Sequence, residues 1–357
     1  MDKINLKGLN AEDTAIILQK YDIPSFRAKQ LFQWIYRKNI ADFDLMTNLS
    51  KELRLLLKER FCIENIAIEK KSVSIDGTIK YLFNLPDNGK IESVLLPPLS
   101  VNRLEESAAD DEPLNRLTIC VSTQVGCPLG CEFCATGYMK YKRNLSVFEI
   151  VDQILQVQKD SGKEITNVVF MGMGEPLLNY NNLIKAIDIL CHVEGLKISN
   201  KHITVSTSGI IPEIIKIADE HKKFKLAVSL HSLDEDIRSK IMPINNKYKL
   251  TELIESVRYY YRKTKLKITF EYILFDGLND REEDIRKIIK LSRSMPCKFN
   301  IIRFHESEIF SLDLKGSPRF KEFVDRLRNE KVTVMVRNSS GEDIAAACGQ
   351  LAVKSNG

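Results

Sequence analysis

The chain has 357 residues, of which 44% are hydrophobic and 28% charged, with a formal net charge of +5. That balance excludes a disordered or fibrous chain, and the lack of an apolar run of about 18 residues excludes a helical membrane span, leaving room for one large domain and a smaller one. Eight cysteines are too few for a secreted disulfide scaffold of this length, and Met1-Asp2-Lys3-Ile4-Asn5 lacks an apolar leader core, so a reducing, cytoplasmic setting is expected.

Residues 8–60 read as helical, with periodic runs such as Ala28-Lys29-Gln30-Leu31-Phe32-Gln33-Trp34-Ile35-Tyr36-Arg37 and Leu49-Ser50-Lys51-Glu52-Leu53. Residues 63–97 read as short strands turned by Asp76-Gly77 and Asp87-Asn88-Gly89. A polar stretch from Asn102 to Asn115, carrying Glu105, Glu106, Asp110, Asp111 and Glu112, reads as an exposed loop or linker. From Leu117 on, strands alternate with helices. The expected strands are Thr118–Ser122, Asn167–Met171, His202–Ser206, Lys225–Leu230, Lys267–Leu274 and Phe299–Phe304, with an extra one at Val332–Arg337. Ser146-Val147-Phe148-Glu149 spells a capping box, and Ser317-Pro318 a cap with a first-turn proline. Regular alternation predicts an α/β fold with a parallel sheet, open or curled into a barrel, whose chemistry gathers at the C-terminal strand ends. Four zones follow, with bounds 1–62, 63–115, 116–338 and 339–357.

The chemistry starts at Gly126-Cys127-Pro128-Leu129-Gly130-Cys131-Glu132-Phe133-Cys134, where gaps of three and two residues put three thiols on one loop. A [4Fe–4S] cluster normally takes four cysteinates, so three leave one iron open to a small chelating molecule. The alternative is a zinc site or a set of buried thiols. Zinc closes its tetrahedron with separated Cys/His pairs, and the next such residues here are the distant Cys191 and His192.

Three strand ends carry polar groups. Gly172-Met173-Gly174-Glu175-Pro176 offers close backbone approach and a carboxylate for an ammonium, or else a plain turn into a helix. Ser206-Thr207-Ser208-Gly209 and Ser229-Leu230-His231 offer hydroxyls and an imidazole for a carboxylate or ribose, or else ordinary caps and packing. Cys120 lies seven residues before the loop, and Cys348 nine from the C-terminus in a small-residue segment able to enter a cavity. Cys62, Cys191 and Cys297 are read as buried inert thiols.

Cys120-Val121-Ser122-Thr123-Gln124-Val125-Gly126-Cys127, the thiol loop, Lys142-Arg143-Asn144-Leu145, Gly172-Met173-Gly174-Glu175-Pro176 and Ala346-Ala347-Cys348-Gly349-Gln350-Leu351 together resemble the RlmN/Cfr family. These are radical S-adenosylmethionine (SAM) enzymes that methylate adenosine in RNA. The runs Pro24-Ser25-Phe26-Arg27-Ala28-Lys29-Gln30, Trp34-Ile35-Tyr36 and Met46-Thr47-Asn48-Leu49-Ser50-Lys51 favour the RlmN branch, which methylates C2, over the Cfr branch, which methylates C8.

The resemblance implies a partial (βα)6 TIM-like barrel over 116–338, with an RNA-binding helical domain and a short β-hairpin segment before it. It implies one [4Fe–4S] cluster on Cys127, Cys131 and Cys134, with two SAM per turnover bound by Gly174, Glu175, Ser206, Ser229, Leu230 and His231. Where the family usually has an asparagine after the sixth strand, this chain offers His305. A first SAM would methylate Cys348; a second would be cleaved to the 5′-deoxyadenosyl radical, which takes hydrogen from the methyl group. The methylene radical would add to C2, an electron-poor carbon that cannot attack SAM itself. Glu92 matches the family's proton acceptor, and Cys120 would release the product through a transient Cys120–Cys348 disulfide. The implied partners are 23S rRNA at the peptidyl-transferase loop, tRNA at the adenosine following the anticodon, and a reducing electron donor such as flavodoxin, acting on a monomer.

For RNA contact, Arg27, Lys29, Trp34, Tyr36, Arg37 and Lys38 suit backbone binding and stacking, or equally a solvated helix with core aromatics. Lys140, Lys142 and Arg143 follow the thiol loop and are better placed to meet phosphate. A base must leave its stack to reach a buried cluster, so a folded loop with a splayed nucleotide is the expected target. Two other readings stay open: a Cfr-type C8 methyltransferase, and a non-catalytic zinc-stabilised RNA-binding protein.

Overall fold

The structure is a computed structural model that describes residues 3–98, 116–306, 310–337 and 340–352; the acidic stretch 102–115 lies outside them. The N-terminal unit runs β1 (Ile4–Asn5), α1 (Ala11–Gln19), α2 (Phe26–Phe32), α3 (Lys51–Arg60) and β2 (Phe61–Cys62). Asn10 caps α1 by accepting the Asp13 N–H, and Ser50 caps α3 by accepting that of Leu53. β1 pairs in parallel with β2 and closes the unit on itself. A π-turn over Gln33–Arg37 prolongs α2 and turns its aromatics inward. Trp34 and Tyr36, read as possible RNA-stacking residues, are core residues instead: both are buried, and the Tyr36 hydroxyl accepts from Gly8 N–H and donates to Leu9 O. Lys38 covers the Trp34 ring at 3.4 Å, and Lys29 pairs with Glu194.

The strands that follow are β3 (Ala67–Val73), β4 (Ile79–Asn84), β5 (Lys90–Leu96) and β6 (Thr118–Cys120). Asp76 and Asp87 each accept the N–H two residues on, which folds the β3–β4 and β4–β5 turns where the sequence places them. The short ribbon β7 (Gln124–Val125) with β8 (Arg143–Asn144) brackets the thiol loop. Then come α4 (Val147–Ser161), β9 (Asn167–Phe170), α5 (Tyr180–Cys191), β10 (Ile203–Thr207), α6 (Ile211–Asp219) and β11 (Lys225–Ser229). The chain continues through α7 (Glu235–Ile241), α8 (Leu250–Thr264), β12 (Ile268–Leu274), α9 (Glu282–Ser294), β13 (Cys297–Arg303), α10 (Phe320–Asn329) and β14 (Val334–Arg337).

Ten of these strands form one sheet in the order β14-β13-β12-β11-β10-β9-β6-β5-β4-β3. From β6 to β14 neighbours are parallel, each joined through a helix, which is the pattern of a partial (βα)6 barrel with one added edge strand. Strands β9 and β12 are buried along their whole length, as strands covered on both faces must be. The strands at 63–97 are not a separate hairpin: β5 hydrogen-bonds antiparallel to β6, so β3–β5 extend the barrel sheet and carry Glu92 toward the site. The Ser146–Glu149 capping box is present at α4. The Ser317-Pro318 start is displaced, since α10 begins at Phe320 while the Ser317 hydroxyl bonds Asp280 and accepts from Arg319 N–H. Among the described residues no helix is long and apolar enough to cross a membrane.

A buried ion pair fastens the N-terminal unit to the barrel. Lys7 Nζ lies 2.7 Å from Asp152 Oδ1 on α4, both side chains almost fully buried, and Asp152 Oδ2 accepts the Ile66 N–H. Burial lowers the Lys7 pKa, with Asp152 opposing the shift. Replacing Asp152 with alanine strands the ammonium in a dry interface and should cost about 3–5 kcal/mol. Urea unfolding of Asp152→Ala checks this; an unchanged midpoint would show the pair to be incidental.

Candidate active site

Cys127, Cys131 and Cys134 all line one cavity at the C-terminal ends of the parallel strands. The loop is fixed from several sides: Cys134 N–H donates to Cys131 O, Glu132 N–H to Ile241 O at the end of α7, and Phe133 packs on His231 and Phe275. Burial pushes the Cys127 thiol up to about 12 and the Cys131 thiol well above its usual value, and the neighbouring thiols add to both. Three such thiols ionise together only around a strongly cationic group. The three thiols border one shared space, which suits a cluster in which each thiolate takes its own iron. The donor set therefore fits the expected [4Fe–4S] group.

The same cavity is walled by Gly174, Glu175, Ser206, Ser208, Ser229 and His231. Gly174 has φ +98°, and a Cβ there would stand 2.5 Å from the Gln124 side chain, so only glycine fits the turn. Glu175 is buried; its Oε2 accepts the Ser208 N–H at 2.8 Å and its Oε1 that of Leu177 at 3.1 Å, joining the ends of β9 and β10. Burial raises the Glu175 pKa while those donors oppose the shift. His231, at φ +54°, accepts the Ile273 N–H at Nδ1, which leaves the proton of the neutral ring on Nε2. Burial brings its pKa down to about 3, and Arg238 adds to the shift.

Arg238 is the brace of this wall. It is 1% exposed and donates to the carbonyls of Ser208, Ser229 and Leu230 and to Asn245 Oδ1. Leu230 is fully buried and is not on the wall; it meets the site only through its backbone. His305 is not on the wall either: Nε2 lies 3.6 Å from Glu342 Oε1, and β13 contributes Ile302 in its place. Arg143, expected to meet phosphate, is committed elsewhere, bonding both oxygens of Asp87 and both of Glu149, while Lys140 and Lys142 are exposed. Sequence reasoning passed over Arg238 and Glu271, and named Ser208 only within its strand-end run. A lone carboxylate inside the buried run Ile268–Leu274 was a signal for Glu271, which lines the cavity; nothing local marked Arg238.

A second cavity adjoins the first. Val94, Cys120, Ala346 and Cys348 are on its wall, and Cys134, Thr136, Met171, Gly172, Ile302, Cys348 and Gly349 are on the walls of both. The C-terminal segment is docked, with Ala135 N–H donating to Gly349 O at 2.6 Å and the Thr136 hydroxyl to Leu351 O at 2.6 Å. None of the eight cysteines is in a disulfide, and Cys348 is exposed while Cys120 is buried. Glu92 is buried on β5, on the same face as Val94, which pairs with Cys120. Burial raises its pKa, and Lys80 opposes the shift at 3.2 Å. Cys131→Ala should remove the brown absorbance and the iron of anaerobically reconstituted protein with unchanged far-UV dichroism. Full iron content would take Cys131 out of the ligand set.

Comparison with known proteins agrees with this geometry. Residues 121–290 match the Radical SAM superfamily, and residues 4–63 match the ribosomal RNA large subunit methyltransferase N-terminal domain. A probable dual-specificity RNA methyltransferase RlmN of Cytophaga hutchinsonii is 42% identical, the match covering 98% of this chain and 93% of that one. Its counterpart from Dictyoglomus turgidum is 43% identical, covering 97% and 96%. The crystal structure of a radical SAM methyltransferase from Sphaerobacter thermophilus is similar with a TM-score of 0.87 at 37% identity, covering 98% and 99%. Identity of this order along nearly the whole length, with both domains in their places, makes the chain a member of the RlmN family of radical SAM RNA methyltransferases.

Proposed function

We propose that the chain methylates C2 of adenosine, in 23S rRNA and at the adenosine following the anticodon of tRNA, through a methyl group carried on Cys348. The observation that carries this reading is the shared wall: Cys348 borders both cavities, with Cys120 in one and the three loop thiols in the other. In this reading Cys127, Cys131 and Cys134 hold one [4Fe–4S] cluster, and Gly174, Glu175, Ser206, Ser229 and His231 with the Leu230 backbone hold SAM, two per turnover. Bound there, these groups supply the hydrogen-abstracting radical, fed by a reducing donor such as flavodoxin.

The chain's own residues do the remaining work. Cys348 takes the first methyl group through its thiolate sulfur. The carbon on that sulfur then bonds to adenine C2, a position too electron-poor to attack SAM directly. Glu92 accepts the C2 proton; its raised pKa brings a carboxylate nearer the range where a general base is effective. Cys120 attacks the Cys348 sulfur, so the sulfur–carbon bond breaks as a sulfur–sulfur bond forms and the carbon, taking a proton, leaves as the new methyl group. The exposed Lys140 and Lys142 meet RNA phosphate beside the opening. The enzyme acts as a cytoplasmic monomer.

Two measurements test the reading. Cys120→Ala should leave RNA bound covalently to Cys348, seen as a shifted, nuclease-sensitive band; free RNA with normal turnover would remove Cys120 from the mechanism. Nucleoside mass spectrometry of RNA from a complemented deletion strain should show 2-methyladenosine. Finding 8-methyladenosine alone would move the chain to Cfr-type chemistry, and a colourless, zinc-containing protein would end the radical reading.

A further inference from the structure

We propose that Lys80 is a positioning residue, a latch whose one ammonium seats the Cys348 segment over the cavity and holds the Glu92 carboxylate beneath it. Lys80 Nζ lies 3.2 Å from Glu92 Oε1 and 3.1 Å from the carbonyl oxygen of Ala345. Its side chain is 14% exposed and that of Glu92 7%, so both charges sit largely out of water and each depends on the other. Ala345 lies just before Cys348 in the chain, so this largely buried ion pair meets the segment close to the thiol.

The segment needs such a hold. Ala345 has φ +51°, a left-handed conformation that alanine keeps only where its surroundings fix it. The other anchors are Gly341 N–H on Asp76 and Asp343 on Ser74 before it, and Gly349 O on Ala135 and Leu351 O on Thr136 after Cys348. Lys80 is thus the contact nearest to Cys348 on its N-terminal side, and it comes from β4, one strand beyond the strand of Glu92. Lifting the segment would take the Ala345 carbonyl from the same ammonium that holds the Glu92 carboxylate. Seating of the thiol and the setting of Glu92 become one event.

The purpose of the latch rests on the reading of Cys348 as methyl carrier, but its test does not. Cluster-loaded protein, held anaerobically, is treated with limiting diamide, which oxidises two neighbouring thiols to a disulfide and is itself reduced to the hydrazine. The Cys120–Cys348 disulfide is then quantified by non-reducing peptide mapping, alongside iron content. Lys80→Met should form it roughly tenfold more slowly, the cost of one charge-assisted hydrogen bond, with iron unchanged. Lys80→Arg, which also bridges two acceptors, should restore the rate, a rescue that a purely packing role would not give. Should Lys80→Met not fold, Lys80→Gln gives the same comparison. An unchanged rate in the neutral variants, or failure of arginine to rescue, overturns the latch. Disulfide formation that depends on Lys80 in a protein that never methylates Cys348 would uphold the latch while removing the proposed chemistry.

Discussion

Two hydrogen bonds hold the chemical halves of this chain together. The Ala135 N–H and the Thr136 hydroxyl, immediately after the last loop thiol, take the carbonyls of Gly349 and Leu351, more than 200 residues further on. They are possible because Gly349, at φ +82°, passes so near the loop that a Cβ would stand 2.9 Å from Phe133 O. The rest of the site builds on this closure, which ties the segment of Cys348 directly to the loop that carries the thiols. A thiol near a chain end would otherwise be an exposed cysteine with no neighbours of consequence.

The sheet supplies the frame on which that closure works. Parallel strands bring their C-terminal ends to one level, and Glu175 and Arg238 lock those ends to each other with a carboxylate on two backbone N–H groups and a guanidinium on three carbonyls. Cutting any of these would leave buried backbone groups unpaired, at about 1–3 kcal/mol each, so the wall resists rearrangement. The antiparallel extension β3–β5 adds what a bare barrel lacks. It puts Glu92 on the same face of β5 as Val94, the partner of Cys120, and its turn and its second strand give the C-terminal segment Asp76 and Lys80 to rest on.

Much of this was legible in the sequence for physical reasons. The parallel strands β6 and β9–β14 fall within two residues of their expected bounds because largely buried parallel strands leave clear apolar runs. The thiol loop and the glycine-rich strand end were legible because their chemistry is local. The rest depended on partners far away in the chain. Arg143 looks like a phosphate contact until Asp87 and Glu149 claim it, and Trp34 and Tyr36 look like stacking surfaces until the π-turn buries them. Nothing near Arg238 or Lys80 in sequence reveals the carbonyls they meet. His305 looked like a stand-in for a missing asparagine, but β13 presents Ile302 to the cavity and leaves His305 beside Glu342.

The central claim is that Cys348 is the methyl carrier and the thiol loop the source of the radical that activates it. Intact-protein and peptide mass spectrometry of enzyme purified anaerobically, after incubation with SAM labelled in its methyl group, tests that claim most directly. The account predicts one labelled methyl group, on Cys348, before any RNA is added. Labelled RNA formed by an enzyme whose Cys348 never carries the label would contradict it.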